Sequence, residues 1–152
     1  MKKIWKGFAL FLLFLALYFI PALLFPAKPE YYQSLNQPFY APPAAVFGII
    51  WPILYGIFSI ILAEKLVNRS LTKEQTLYFI ANYGISFFFN KVFFIDHSLF
   101  LSFVVTFSSL ITGILIWISL GKNNKAEALA LLPYLIWTLY ASVLMAHIYF
   151  IN

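Results

Sequence analysis

The residues able to do acid–base, nucleophilic or metal chemistry do not stand at spacings that would let them act together. His97 and His147 are 50 positions apart, and a metal would need further ligands beside either one. The chain has no cysteine, so disulfides and thiolate ligands are excluded. Ser142 and His147 are separated by five, which puts them on different helical faces and rules out a serine–histidine pair. Glu64, Glu74 and Glu127 read as loop residues with no partner carboxylate in an apolar run, and Asp96-His97 reads as a solvated or capping turn.

What has register is uncharged. Asn82, Ser86 and Asn90 are spaced by four; Ser102, Thr106 and Ser109 lead to Gly113; Phe47, Trp51, Tyr55 and Phe58 form a column; Tyr134, Trp137 or Thr138, Ala141 and Met145 form another. Each set shares one helical face. Such stripes either join helices or line a space between them. The hydroxyl stripe reads as helix–helix packing, with Ser109 and Gly113 as a small pair suited to close approach. The two asparagines need partners or a polar cavity, because lipid offers them none.

The elements that carry these stripes are five apolar runs: Phe8–Phe25, Ala44–Ala63, Leu77–Phe94, Leu99–Leu120 and Ala128–Ile151. Hydrophobic residues make up 63% of the chain, charged residues 10%, and mean hydropathy is +0.89. Crossing a hydrocarbon core of about 30 Å takes about 20 helical residues, whereas barrel strands are about half that length and alternate in polarity. The sequence therefore predicts an all-α integral membrane protein, one domain over residues 1–152, built as a single five-helix bundle. Lys91, near the end of the third run, is placed to snorkel to the interface.

Lys2, Lys3 and Lys6 before the first run also fit a secretory signal, but Pro21–Phe25 lacks the small residues of a cleavage site, so this run is expected to stay as a membrane helix. Three further basic residues (Lys65, Arg69, Lys73) follow the second run and two (Lys122, Lys125) the fourth, against Lys28 and Lys91 on the other side. The bias predicts a cytoplasmic N-terminus and an outer C-terminus. The net charge of +5 is thus a topology signal, and nucleic-acid binding is not expected.

Between the first two runs, Pro26–Pro43 contains five prolines and four aromatics, Tyr31, Tyr32, Phe39 and Tyr40. Proline fixes φ and restricts the residue before it. This composition predicts a stiff, folded lid over the outer end of the bundle rather than a loose loop.

Taken together these features resemble the TspO/MBR family, the tryptophan-rich sensory or translocator proteins. The stretch Tyr32–Tyr55, YQSLNQPFYAPPAAVFGIIWPILY, is similar to the family's WYxxLxKPxWxPPxxVFxxxWxxLY, with Tyr32, Leu35, Pro38, Pro42, Pro43, Val46, Phe47, Trp51, Leu54 and Tyr55 in register. Pro133–Ala141, PYLIWTLYA, is similar to PYxxWxxFA, and Val92-Phe93-Phe94 to the pair closing the third helix. The resemblance implies an interhelical pocket binding porphyrins and haem-related tetrapyrroles, sterols in some members, and benzodiazepine-site drugs. It implies no resident cofactor, the porphyrin being ligand or substrate, and a homodimer as the common assembly. Trp51 and Trp137 match two pocket tryptophans that some bacterial members use to degrade protoporphyrin IX in light. Tyr32, Pro42, Phe47, Trp51, Tyr55, Asn82, Ser86, Phe89, Trp137, Ala141 and Met145 are accordingly expected at the ligand, with no metal. Tyr32, Asn82 and Ser86 would donate hydrogen bonds, and Ala141 would let the ligand approach the last helix.

The sequence also departs from the family. Tyr31 and Phe39-Tyr40 replace tryptophan-rich positions of the lid, Phe89-Asn90-Lys91 replaces Trp-x-Pro, Ser86 replaces a pocket asparagine, and Met145 replaces the asparagine of the terminal Leu-Asn. No Lys or Arg follows Lys125, so a cholesterol motif of the Leu/Val–Tyr–Lys/Arg kind is absent from the C-terminal end. A carrier of tetrapyrroles or small lipids is the competing reading, although no inverted repeat accompanies it.

Overall fold

The computed structural model describes residues 2–152. In hydrocarbon every backbone group must be paired within the protein, and the chain meets this with helices: α1 (Lys2–Leu24), α2 (Pro29–Ser34), α3 (Ala44–Asn68), α4 (Lys73–Phe87), a π-helical turn (Lys91–Ile95), α5 (Leu99–Gly121) and α6 (Lys125–Ile151). Among the described residues there is no strand. Five helices are long and apolar enough to span, the third being α4 continued through the π-turn. This is an all-helical, multi-pass membrane protein.

Most helices outrun the apolar runs because polar residues cap them. Thr72 and Gln75 form a reciprocal capping box at the start of α4 (3.1 and 3.3 Å). Ser98 caps α5, and the Asn124 carboxamide oxygen accepts from the Ala126 and Glu127 N–H groups at the start of α6. At the end of α3, Arg69 takes the left-handed conformation (φ 54°), and the Ser70 N–H reaches back to the Lys65 carbonyl at 2.9 Å. The lid contains α2, a short helix that the proline-rich composition did not announce; Pro29 at its first turn needs no N–H partner there.

The spans close into a ring in which α1 packs on α3, α3 on α6, α6 on α5, α5 on α4 and α4 on α1. Three spans carry a proline inside. In α1, Pro21 withdraws the N–H that the Leu17 carbonyl would meet, and the Tyr83 hydroxyl from α4 donates to that carbonyl at 2.9 Å. Two apolar clusters fill the ring. One, with Phe58, Phe79, Ile116, Leu120 and Leu131, occupies the basic end; the other, with Tyr32, Phe93, Leu144, Met145 and Ile148, lies under the lid.

At the basic end Lys65 and Glu127, read from sequence as loop residues, belong to the last turn of α3 and the first turn of α6. Their side chains are 2% and 8% exposed, and Lys65 Nζ stands 2.7 Å from Glu127 Oε2, an ion pair by proximity rather than an aligned hydrogen bond. Gln75, fully buried in the first turn of α4, donates to the Ser119 carbonyl at 3.3 Å and ties α4 to α5. Removing one partner of a buried pair strands the other charge, whereas removing both does not. Lys65→Met alone is therefore expected to destabilise the protein by about 3 kcal/mol, and the Lys65→Met/Glu127→Leu double variant by clearly less. Thermal unfolding in detergent checks the order.

Candidate functional site

Three helices meet at one polar knot. Asn82 on α4 is 2% exposed. Its amide nitrogen donates to the Ser109 carbonyl (3.0 Å) and to Thr112 Oγ1 (2.8 Å), both on α5, while the Tyr134 hydroxyl of α6 donates to Asn82 Oδ1 at 3.1 Å. That assignment uses both amide hydrogens and the oxygen. The Tyr134 ring fits because Gly113 has no side chain: a Cβ there would lie 2.7 Å from Tyr134 Cε1. Phe58 of α3 also packs against the Tyr134 ring, edge-on at 4.6 Å.

One turn from the knot toward the lid, the ring of helices parts around a cavity of about 590 Å³. Its wall includes Phe19 and Ala22 of α1; Phe47, Gly48, Trp51, Pro52 and Tyr55 of α3; Ser86 of α4; Phe89 and Phe93 around the π-turn; Thr106 and Ser109 of α5; and Thr138, Ala141 and Met145 of α6. Trp51 lies beside Tyr55 (centroids 5.8 Å), and Phe89 stacks on Phe93 (5.6 Å, 14°). The wall has no carboxylate, imidazole or ammonium group. Three of its hydroxyls are already engaged as donors: Thr106, Ser109 and Thr138 give their hydrogens to carbonyls one turn back, those of Ser102, Val105 and Tyr134 (3.1, 2.8 and 2.8 Å). The space can hold a ligand by shape and ring stacking, with few free donors to direct it.

The lid is tied down over this space. Tyr32 donates to the Pro42 carbonyl (3.0 Å) and accepts at its own carbonyl from Gln37 (2.6 Å). Burial, and the nearby Tyr140, push the Tyr32 hydroxyl up to about 12. Tyr31 stacks on His97 (4.0 Å, 16°), Tyr40 hydrogen-bonds His147 Nδ1 (2.9 Å), and Tyr140 donates to the Tyr40 carbonyl (2.9 Å). Asn36 and Asn152 exchange hydrogen bonds of 2.9 and 3.0 Å, fastening the lid to the end of α6. Phe39, fully exposed at the lid surface, suits the headgroup layer. The exposed members of the cavity wall, Ala22, Ala27, Pro29, Gln33, Ala45 and Gly48, all come from α1, the lid and the first turns of α3. Those contributed by α5 and α6 are, apart from Val105, buried. The mouth thus opens on one flank between α1 and α3, and its rim is almost wholly apolar.

Of the residues expected at a ligand, Tyr32, Phe47, Trp51, Tyr55, Ser86, Phe89, Ala141 and Met145 line the cavity. Pro42, Asn82 and Trp137 stand outside the wall. Pro42 serves through its carbonyl, which takes the Tyr32 hydrogen. Asn82 is occupied by the knot; Ser86 bridges the two, lining the cavity and bonding Ser109 Oγ at 3.0 Å. Trp137 packs edge-on against Phe47 (5.7 Å) and beside Tyr140 (5.4 Å), with its indole N–H buried and unpaired among the described residues. The α6 stripe resolves in favour of Thr138 as the wall residue. Sequence reasoning missed the contribution of α1, which has no polar stripe to mark a face, and that of Gly48 and Pro52, which share the Phe47–Trp51 face.

The family model described as TspO/MBR family matches residues 8–151. The tryptophan-rich protein TspO of Bacillus cereus is 30% identical over all of this chain and 99% of its own length. The uncharacterized membrane protein YtaB of Bacillus subtilis is 31% identical over 95% of this chain and 94% of its own. The tryptophan-rich protein TspO of Archaeoglobus fulgidus is 32% identical over 80% of each.

Because the knot engages both amide hydrogens and the oxygen of Asn82, Asn82→Leu should lower stability by about 1–3 kcal/mol through the groups it leaves unpaired. Gly113→Ala should cost a similar amount by overpacking against Tyr134. Chemical or thermal unfolding in detergent measures both; a neutral Gly113→Ala would show that the ring can move aside. With a five-helix bundle, a capped interhelical cavity and a match along nearly its whole length, this chain belongs to the TspO/MBR family.

Proposed function

We propose that the protein is a membrane receptor for tetrapyrrole ligands of the porphyrin type, bound in the cavity beneath the lid. The observation that carries this reading is the cavity itself: roomy, walled by aromatic rings and nearly free of charge, as a flat and mostly apolar macrocycle requires. Family membership supports a receptor-type role, and benzodiazepine-site drugs would compete for the same space. The apolar flank opening suits a ligand that arrives dissolved in the bilayer, with the N-terminus in the cytoplasm and the lid outside. A homodimer is the proposed assembly.

Light-dependent porphyrin degradation is a further part of the proposal. An excited macrocycle takes an electron from a nearby indole or, with dioxygen, generates oxidants that attack both indole and ring. Trp51 meets the ligand directly; Trp137 would act through its contact with Phe47. Trp51→Phe and Trp137→Phe should both retain protoporphyrin IX binding, read as quenching of the remaining tryptophan fluorescence, and should slow light-driven loss of porphyrin absorbance, Trp51→Phe more strongly. Equal rates in wild type and both variants would remove the enzymatic part. Absence of saturable quenching in the wild type would remove the receptor. Flux of porphyrin into sealed proteoliposomes, beyond that of protein-free vesicles, would replace receptor by carrier.

A further inference from the structure

A second concavity lies on the outside of the bundle, at the opposite end from the lid. It is a groove of about 500 Å³ between the last turns of α5 and the first turns of α6. Gly121 and Ala128 form its floor, their small size bringing the two helices together; a Cβ on Gly121 would meet Ala128 Cβ at 3.7 Å. Trp117 and Ile118 wall one side and Leu129 the other, all three exposed (37%, 47% and 63%). Lys122 and Lys125 close the groove at the connecting loop. We infer that this groove binds one anionic glycerophospholipid, its phosphate between Lys122 and Lys125 and an acyl chain along Trp117, Ile118 and Leu129.

Charge and shape both point to that occupant. An apolar trough ending in two ammonium groups matches a chain joined to a phosphate, and an indole at the same level belongs to the headgroup boundary. The opposing carboxylates are accounted for. Glu127, in the first turn of α6, is spent on Lys65 inside the bundle. Glu74 of α4 stands 3.5 Å from Lys122, both exposed, and takes part of its charge. Lys125 has no acidic partner among the described residues, so it carries the larger share. The basic bias of this end further places it at the leaflet where anionic lipid attracts lysines.

The full chain, purified in detergent and titrated with phosphatidylglycerol or phosphatidylcholine, tests this by native mass spectrometry. The wild type should retain one phosphatidylglycerol in preference to phosphatidylcholine. Lys125→Gln should weaken that retention about fivefold, Lys122→Gln less, and the pair about tenfold or more. Glu74→Gln should strengthen it. Lys2→Gln/Lys3→Gln, which removes the same charge elsewhere, should leave it unchanged. Phosphatidylglycerol brominated on its acyl chains should quench wild-type fluorescence more than that of Trp117→Phe. Equal retention of the two lipids, an unaltered Lys122→Gln/Lys125→Gln variant, or an equal loss in Lys2→Gln/Lys3→Gln would overturn the site. Displacement by inorganic phosphate with no need for the acyl chain would overturn it as a lipid site.

Discussion

The bundle depends on a single requirement, met at Asn82: a polar group buried in a membrane protein must find all its partners inside the protein. Asn82 finds them on two other helices at once, in Ser109 and Thr112 of α5 and Tyr134 of α6. Because the amide can be satisfied in few arrangements, it fixes the register of α4, α5 and α6 more tightly than apolar packing between lipid-like surfaces can. Gly113 belongs to the same device, since only a residue without a side chain lets the Tyr134 ring reach the amide. The same rule recurs at Leu17, whose carbonyl is orphaned by Pro21 and recovered by Tyr83.

The cavity is a consequence of where that tight seam stops. Toward the basic end, large side chains such as Phe58, Phe79 and Leu131 fill the ring. Toward the lid, Ala22, Ala45, Gly48 and Ala141 leave room, and Trp51 and Tyr55 face the space that results. A void of this kind persists only if its rim is held apart and covered. The lid does both, and its rigidity is chemical: prolines limit its backbone, the Tyr32 hydroxyl closes it on itself at the Pro42 carbonyl, and hydrogen bonds of Tyr40 and Asn36 pin it at the end of α6. The lid is bound to the scaffold at several separate points, so its opening requires breaking contacts to more than one helix.

The number of spans, their order, the helical class and the stiffness of the lid were all legible in the sequence, and the reasons are local. Run length reports bilayer thickness, and proline reports a restricted backbone whatever surrounds it. Thr72-x-x-Gln75 and Asn124 are cap signals that explain helix ends beyond the apolar runs. Part of the cavity wall was also legible, because a column such as Phe47–Trp51–Tyr55 stays on one face of a helix. What periodicity cannot supply is the direction in which a face points and the identity of the residue opposite. Asn82 and Ser86 share a face, yet one is enclosed by the knot and the other lines the cavity. Trp137 and Thr138 are neighbours in sequence, and only the packing of α6 against α3 chose Thr138 for the wall.

Lys65 and Glu127 give the sharpest contrast between the two sources of information. Each alone reads as a solvated charge near a membrane surface; 62 residues apart in sequence, they become a buried pair only when α3 and α6 are brought side by side. The amino-acid sequence by itself determined a membrane bundle of five helices under a rigid cover, because apolar length, capping and proline act within one segment. The closing of the ring decided which polar groups are consumed as structure and which face the cavity, because hydrogen bonds and ion pairs between helices exist only once distant segments share a boundary.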